Sequence, residues 1–151
     1  MKFGWINFFG ALIIALILIP NIIYAIKNKE EKNLCKNTFM NAIEQIGRYS
    51  CIILMVFPLL VWEFGFSTVT EMIIYIAGNA LLLFAYWFVF MLYFKKRTFK
   101  RALTLAIIPI CIFLMSGLLL RHWLLVGFAV LFGAGHIYVT VENIKHLSKT
   151  N

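Results

Sequence analysis

The chain has 151 residues, of which 63 % are hydrophobic and 13 % charged, with a mean hydropathy of +0.91. Soluble globular domains average about 45–50 % apolar and about 25 % charged residues, and so short a chain has too much surface for its volume to hide this excess from water, so a water-soluble globule is excluded and lipid must cover the remainder. The net charge of +8 would suit nucleic acid if it formed a binding face, but twelve of the fourteen Lys and Arg lie in or beside three short polar segments at the ends of apolar runs, which is the distribution of cytoplasmic membrane loops rather than a nucleic-acid footprint.

A helix needs about 20 apolar residues to cross the hydrocarbon core. Residues 3–26 are uncharged and form the first predicted span. Lys2 ahead of an apolar run resembles a signal peptide, but the run is long for one. Ile23 is also a poor residue for a small-x-small site ending at Ala25, and Lys27, Lys29, Lys32 and Lys36 follow at once and would resist export. The expectation is therefore a retained span. The polar stretch KNKEEKNLCKNT, residues 27–38, reads as a loop.

The second span is predicted over 46–66, in a helix that begins near Asn41. Its charge-free part, 49–62, is short, so the flanking Arg48 and Glu63 have to snorkel to the interfaces. Pro58 lies inside it and should kink it. Gly65-Phe66-Ser67-Thr68 reads as a tight turn, 72–94 as the third span, and KKRTFKR at 95–101 as a strongly basic loop. The fourth span covers 102–120 and contains Pro109. Arg121-His122 forms a minimal turn, the fifth span is 123–141, and 142–151 is a polar tail. The expected fold is all-α, one integral membrane domain of five transmembrane helices over 1–151.

Orientation follows from the cations. Lys27, Lys29, Lys32, Lys36 and Arg48 belong to the first loop and its junction, Lys95, Lys96, Arg97, Lys100 and Arg101 to the third, and Lys145 and Lys149 to the tail; the other side has Lys2 and Arg121. The positive-inside rule then puts the N-terminus outside and the C-terminus in the cytoplasm. Trp5, Trp62 and Trp123 fall at predicted outer ends, as an aromatic belt requires. The expected location is the cytoplasmic membrane of a bacterium, with the basic segments near anionic head groups.

Polar groups inside a membrane tend to face the bundle interior, so their helical faces are informative. Ala129, Gly133, His136, Thr140 and Asn143 recur on one face of the fifth span, small in its outer half and polar in its inner half. Asn7, Ala11, Ile14, Leu18 and Asn21 share a face of the first span, and Tyr75, Asn79, Leu82, Tyr86 and Tyr93 one of the third. Asn41, Glu44, Gln45 and Arg48 do the same at the start of the second, with Glu44 and Arg48 in the favourable i,i+4 order for an ion pair. His136 is about 20 Å below Trp123 at 1.5 Å per residue, within the inner third.

Two readings of the inner set stand side by side. In one, Asn21, Glu44, Arg48, His136, Thr140 and Asn143 form a ligand-binding pocket open to the cytoplasm, with His136 as its titratable centre. In the other they are interhelical hydrogen bonds of about 0.6 kcal/mol each. The outer set, Glu63, Glu71, Arg121 and His122, reads as a surface clip between two turns. Phe84, Tyr86, Trp87, Phe88 and Phe90 read as packing or lipid contact.

Cys35, Cys51 and Cys111 read as free thiols, and His122, His136 and His146 are too far apart for metal-ligand spacing on one helix. No metal or cofactor is expected. Asp is absent, and no HExxH, P-loop, GxSxG or GxGxxG occurs. The functional expectation is a non-enzymatic carrier, or an accessory subunit binding a small ligand or partner membrane helices. Its rivals are an intramembrane enzyme on a lipid-like substrate, with His136 as base, Glu44 or Glu142 assisting and Ser50 within conceivable reach, and a structural subunit of a larger membrane complex. Reporters fused to the two termini should read opposite sides of the membrane; the same side for both would remove one span.

Overall fold

The computed structural model describes residues 6–28, 33–61 and 65–150, the last four of these by backbone alone. Trp5, Trp62, Glu63 and the loop residues Lys29 and Lys32 lie outside the described residues. The described chain forms five helices and no strand: α1 Phe8–Lys27, α2 Thr38–Val56, α3 Val69–Lys95, α4 Phe99–Leu119 and α5 Trp123–Thr150. Helices α1, α3, α4 and α5 are long and apolar enough to cross a membrane. The 19 residues of α2 give about 28 Å at 1.5 Å per residue, close to the hydrocarbon thickness, but they include Glu44 and Arg48.

Local chemistry sets the helix starts. Asn7 Oδ1 accepts from Gly10 N, Asn37 from Met40 N and Thr98 from Arg101 N, while Thr68 and Glu71 make a reciprocal capping box. Each cap satisfies a backbone donor that the helix itself leaves without a partner.

The prolines act differently from one another. Pro58 does not kink the second span but ends it: α2 stops at Val56 and Phe57 is extended, at φ −109° and ψ 118°. The clash of a proline ring with the preceding residue disfavours helical backbone there, and Leu60 then turns the chain at φ 61°. The helical part of the predicted second span is therefore shorter than 46–66 at its C-terminal end and begins earlier. Pro20 and Pro109 stay inside α1 and α4. Pro20 has no N–H for the Leu16 carbonyl four residues back, and the Trp87 indole of α3 donates to that carbonyl at 3.0 Å. A freed carbonyl in lipid needs such a partner. At the other end of the chain the polar tail is helical: α5 runs on to Thr150, since nothing from Glu142 onward is a Gly or Pro that would stop it.

The helices pack as a closed ring in the order α1, α2, α5, α4, α3, with α3 returning to α1. The α2–α5 contact is the tightest. A Cβ at Gly47 would stand 2.7 Å from the Phe132 backbone, and one at Gly135 2.7 Å from the Glu44 nitrogen. Two backbones can meet this closely only where one of the facing residues has no side chain. Gly133, expected to provide close approach, faces Ile110 of α4 instead. On α3, Phe84 and Phe88 point outward, whereas Tyr86 and Phe90 are buried.

The chain ends and turns sort onto two ends of the ring. At the basic end Arg97 donates to Asn28 and lies over the Tyr24 ring, Lys27 lies over Phe94, and Asn143 Oδ1 accepts from Leu34 N at 2.8 Å. At the far end Asn7 N donates to Val56 O at 2.8 Å, and Arg121 holds Ser67 and Glu71. Gly47→Ala and Gly135→Ala should each cost about 1–3 kcal/mol by overpacking, measured as a lower unfolding midpoint in detergent. Gly127→Ala, whose Cβ meets nothing within 4 Å, should be neutral or gain up to about 1 kcal/mol.

Candidate functional site

The α2–α5 approach places an ionisable cluster in the basic half of the ring. Glu44 is 3 % exposed and sits one turn before Arg48, whose guanidinium it binds. His136 follows Gly135 directly, so the contact that seats Gly135 on the Glu44 backbone also brings the imidazole to the carboxylate: His136 Nδ1 is 2.9 Å from Glu44 Oε1. A carboxylate only accepts, so Nδ1 carries the hydrogen and donates it, and Nε2 is the ring nitrogen left for other partners. Phe132, one turn back on α5, stacks on the imidazole at 4.8 Å with an 18° interplanar angle and holds the ring plane.

A cavity of about 140 Å³ opens beside this cluster, and all five helices line it: Leu18 and Asn21 from α1, Arg48 and Ile52 from α2, Tyr86 from α3, Phe113 from α4, and His136 from α5. Across it, Asn21 Nδ2 donates to the Tyr86 phenol oxygen at 2.8 Å and also to the Ile17 carbonyl. A second cavity of about 170 Å³ shares Asn21, Tyr86 and His136 with the first and extends to Tyr24, Tyr93 and Thr140, toward the basic end. The lining thus presents a guanidinium, an imidazole, a phenol and an amide among otherwise mostly apolar side chains.

The structure therefore brings Asn21, Arg48, His136 and Thr140 around two adjoining cavities with Glu44 directly behind. It puts Asn143 elsewhere. That side chain accepts from Leu34 N and Cys35 N, at 2.8 and 3.0 Å, and anchors the α1–α2 loop to α5. Glu142 pairs with Lys145 at 3.1 Å and lines neither cavity. Ser50 also lines neither. Tyr86 and Phe132 escaped the sequence reading as site residues because a phenol or a ring on an apolar helix is usually packing. Gly47 and Gly135 escaped as site makers, although each lies within three residues of an ionisable group.

The remaining polar groups tie helices together. Asn79 Nδ2 donates to Tyr75 O at 2.9 Å and to Ser116 Oγ at 3.3 Å, joining α3 to α4. At the far end Arg121 and Glu71 form the expected clip at 3.0 Å, with Arg121 55 % exposed, a pair worth under about 1 kcal/mol. His122 is fully buried, and its Nε2–H donates to the Leu59 carbonyl at 3.0 Å. No protein-family model, no curated protein and no solved structure matches this chain, so the geometry carries the functional argument.

Burial holds the His122 imidazole below its ordinary value, partly offset by its backbone hydrogen bonds. The folded state then keeps His122 neutral while the unfolded chain takes up a proton near pH 6.5. Its contribution to stability is complete above that pH and is lost as the pH falls below it. The unfolding midpoint in detergent should drop between pH 7.5 and 5.5 more steeply for the wild type than for His122→Gln; identical slopes would show that this imidazole is not held neutral.

Proposed function

We propose that the chain is a five-span protein of the cytoplasmic membrane, with its N-terminus outside and its basic end in the cytoplasm. On this reading it holds a small amphiphilic ligand in the cavity beside Glu44, Arg48 and His136, as a small carrier or a ligand-binding accessory subunit. Four helices are apolar enough to cross a membrane. Counting α2 as the fifth is supported by its place in the ring, between α1 and α5, and by the pairing of its buried carboxylate, which lowers the cost of carrying it into lipid. The assigned sides rest on the gathering of the cationic segments at one end.

The observation that carries the binding reading is the cavity itself: every helix contributes to it, and a few polar groups, Asn21, Arg48, Tyr86 and His136, stand among its apolar lining residues. That is the usual composition of a small-molecule site, mostly apolar with a few placed polar groups. Interhelical hydrogen bonding alone would pack these groups against one another and leave no room.

A second reading is favoured by one feature, the Glu44–His136 contact of 2.9 Å with Arg48 adjoining. A carboxylate that orients an imidazole is the arrangement of a general base, and it suits an intramembrane enzyme acting on a lipid-like substrate. Binding is preferred, because among the described residues lining the two cavities there is no Ser or Cys to serve as a nucleophile.

Cysteine accessibility separates a cavity from helix packing. In a background with Cys35, Cys51 and Cys111 replaced by Ser, Asn21→Cys and Thr140→Cys should react with a small charged methanethiosulfonate added from the cytoplasmic side. Ala129→Cys, at a position that is 0 % exposed, should not. Equal resistance at all three positions would remove the binding reading.

A further inference from the structure

We infer that the ligand of this cavity is a small organic anion with an apolar body, of which a carboxylate is the simplest, and that it is taken up together with one proton that settles on His136. This rests on the binding reading above and adds to it the ligand class and its linkage to pH.

The ligand class follows from which atoms face the cavity. Glu44, the one carboxylate of the cluster, is 3 % exposed and turned into the protein, whereas Arg48 is 39 % exposed and lines the cavity. Arg48 spends one edge of its guanidinium on Glu44 and retains further N–H donors. Tyr86 accepts from Asn21, so the phenol keeps its own hydrogen to give. Arg48 and Tyr86 thus offer donors to the cavity, and the fixed cation among its lining residues is Arg48, which suits an oxygen-rich anionic head and disfavours an ammonium. The rest of the lining, with Ile14, Ile17, Ile52 and Phe113, suits a hydrocarbon body. The access side agrees: the second cavity reaches toward the end where Lys27, Arg97 and Arg101 gather, and a basic rim concentrates anions.

The proton follows from a charge count. Glu44 and Arg48 cancel. An incoming anion would leave the cluster with one uncompensated negative charge in a low-dielectric interior, where unpaired charge is strongly disfavoured. The group positioned to supply the missing positive charge is His136. The charged and titratable groups around it are Glu44 and Arg48 from α2, Tyr24 from α1, and Tyr86 and Tyr93 from α3; the described α4 residues lining the two cavities are apolar, and Thr140 on its own helix does not titrate. Phenols carry no charge between pH 6 and 8. Nδ1–H already faces Glu44, so the added proton goes to Nε2, where it becomes one more donor to the anion.

The probe is benzoate. An apolar cavity of about 150 Å³ is known to accept benzene, and this one measures about 140 Å³. Binding of benzoate and of its neutral counterpart benzyl alcohol to the full-length chain in nanodiscs is measured by calorimetry at pH 6 and pH 8, with empty nanodiscs subtracted and two buffers of different protonation enthalpy. Wild type should bind benzoate about tenfold or more tightly at pH 6 than at pH 8, the slope approaching tenfold per unit for one linked proton, with close to one proton taken up per benzoate at pH 8. His136→Gln should bind weakly and without pH dependence. Glu44→Gln leaves Arg48 to balance the anion alone, so it should bind benzoate more tightly than wild type at pH 8 and with no proton uptake. The wild-type proton count needs no variant, so a variant that fails to fold does not remove the test. Benzyl alcohol binding as tightly as benzoate would overturn the anion class and leave the binding reading standing. Benzoate binding equally at both pH values would overturn the proton linkage. No binding of either probe would overturn both this inference and the reading on which it rests.

Discussion

The structure depends on one close approach, that of α2 to α5 at Gly47 and Gly135. With no side chain between them, the backbone of each helix lies against the other, and that contact sets the depth and rotation of everything nearby. Glu44 and His136 meet because each is attached to this crossing, one at the residue that Gly135 touches and the other at the residue after Gly135. Moving the helices apart by the width of a methyl group would separate the imidazole from the carboxylate and leave a buried charge with half its partners. The glycines are therefore as much a part of the site as the residues that carry charge.

From this crossing the ring follows. Helix α5 also packs on α4, α4 on α3, and α1 bridges α3 and α2. Five helices around a centre do not fill it as two facing helices would, and the space left in the basic half is bounded by Asn21, Arg48, Tyr86 and His136. The opposite half is closed by polar ties, Asn79 to Ser116 and Asn7 to the end of α2. In lipid such ties contribute only modestly each, so their role is to set register. The same economy of backbone donors governs the prolines: Leu16, deprived of a donor by Pro20, receives one from Trp87, whereas Pro58 meets a chain that is leaving the helix and becomes its end.

Much of this was legible in the sequence. The alternation of apolar runs with cationic connectors foretold the number of helices, and i,i+4 spacing foretold the Glu44–Arg48 pair. The shared face of Ile14, Leu18 and Asn21 was legible from their spacing, although only the structure shows all three lining one cavity. Other features were not legible for definite reasons. Pro58 could kink or end a helix, and the choice depends on whether the segment beyond has neighbours to pack against. The tail from Glu142 could be coil or helix by composition, and Asn143 could serve a pocket or a loop until the position of Leu34 and Cys35 was known.

Composition, periodicity and charge placement by themselves determined that this is an all-α protein with helices made for lipid, because hydrophobic transfer and local propensity are properties of the chain and need no knowledge of what lies next to what. Only the tertiary structure decided that Glu44 belongs to His136 as well as to Arg48, and that Tyr86 and Asn21 face them across a space. Those partners are 92 and 65 residues apart in the chain. Their meeting is set by how closely two helices approach, which depends on side chains that are missing at two glycines as much as on any that are present.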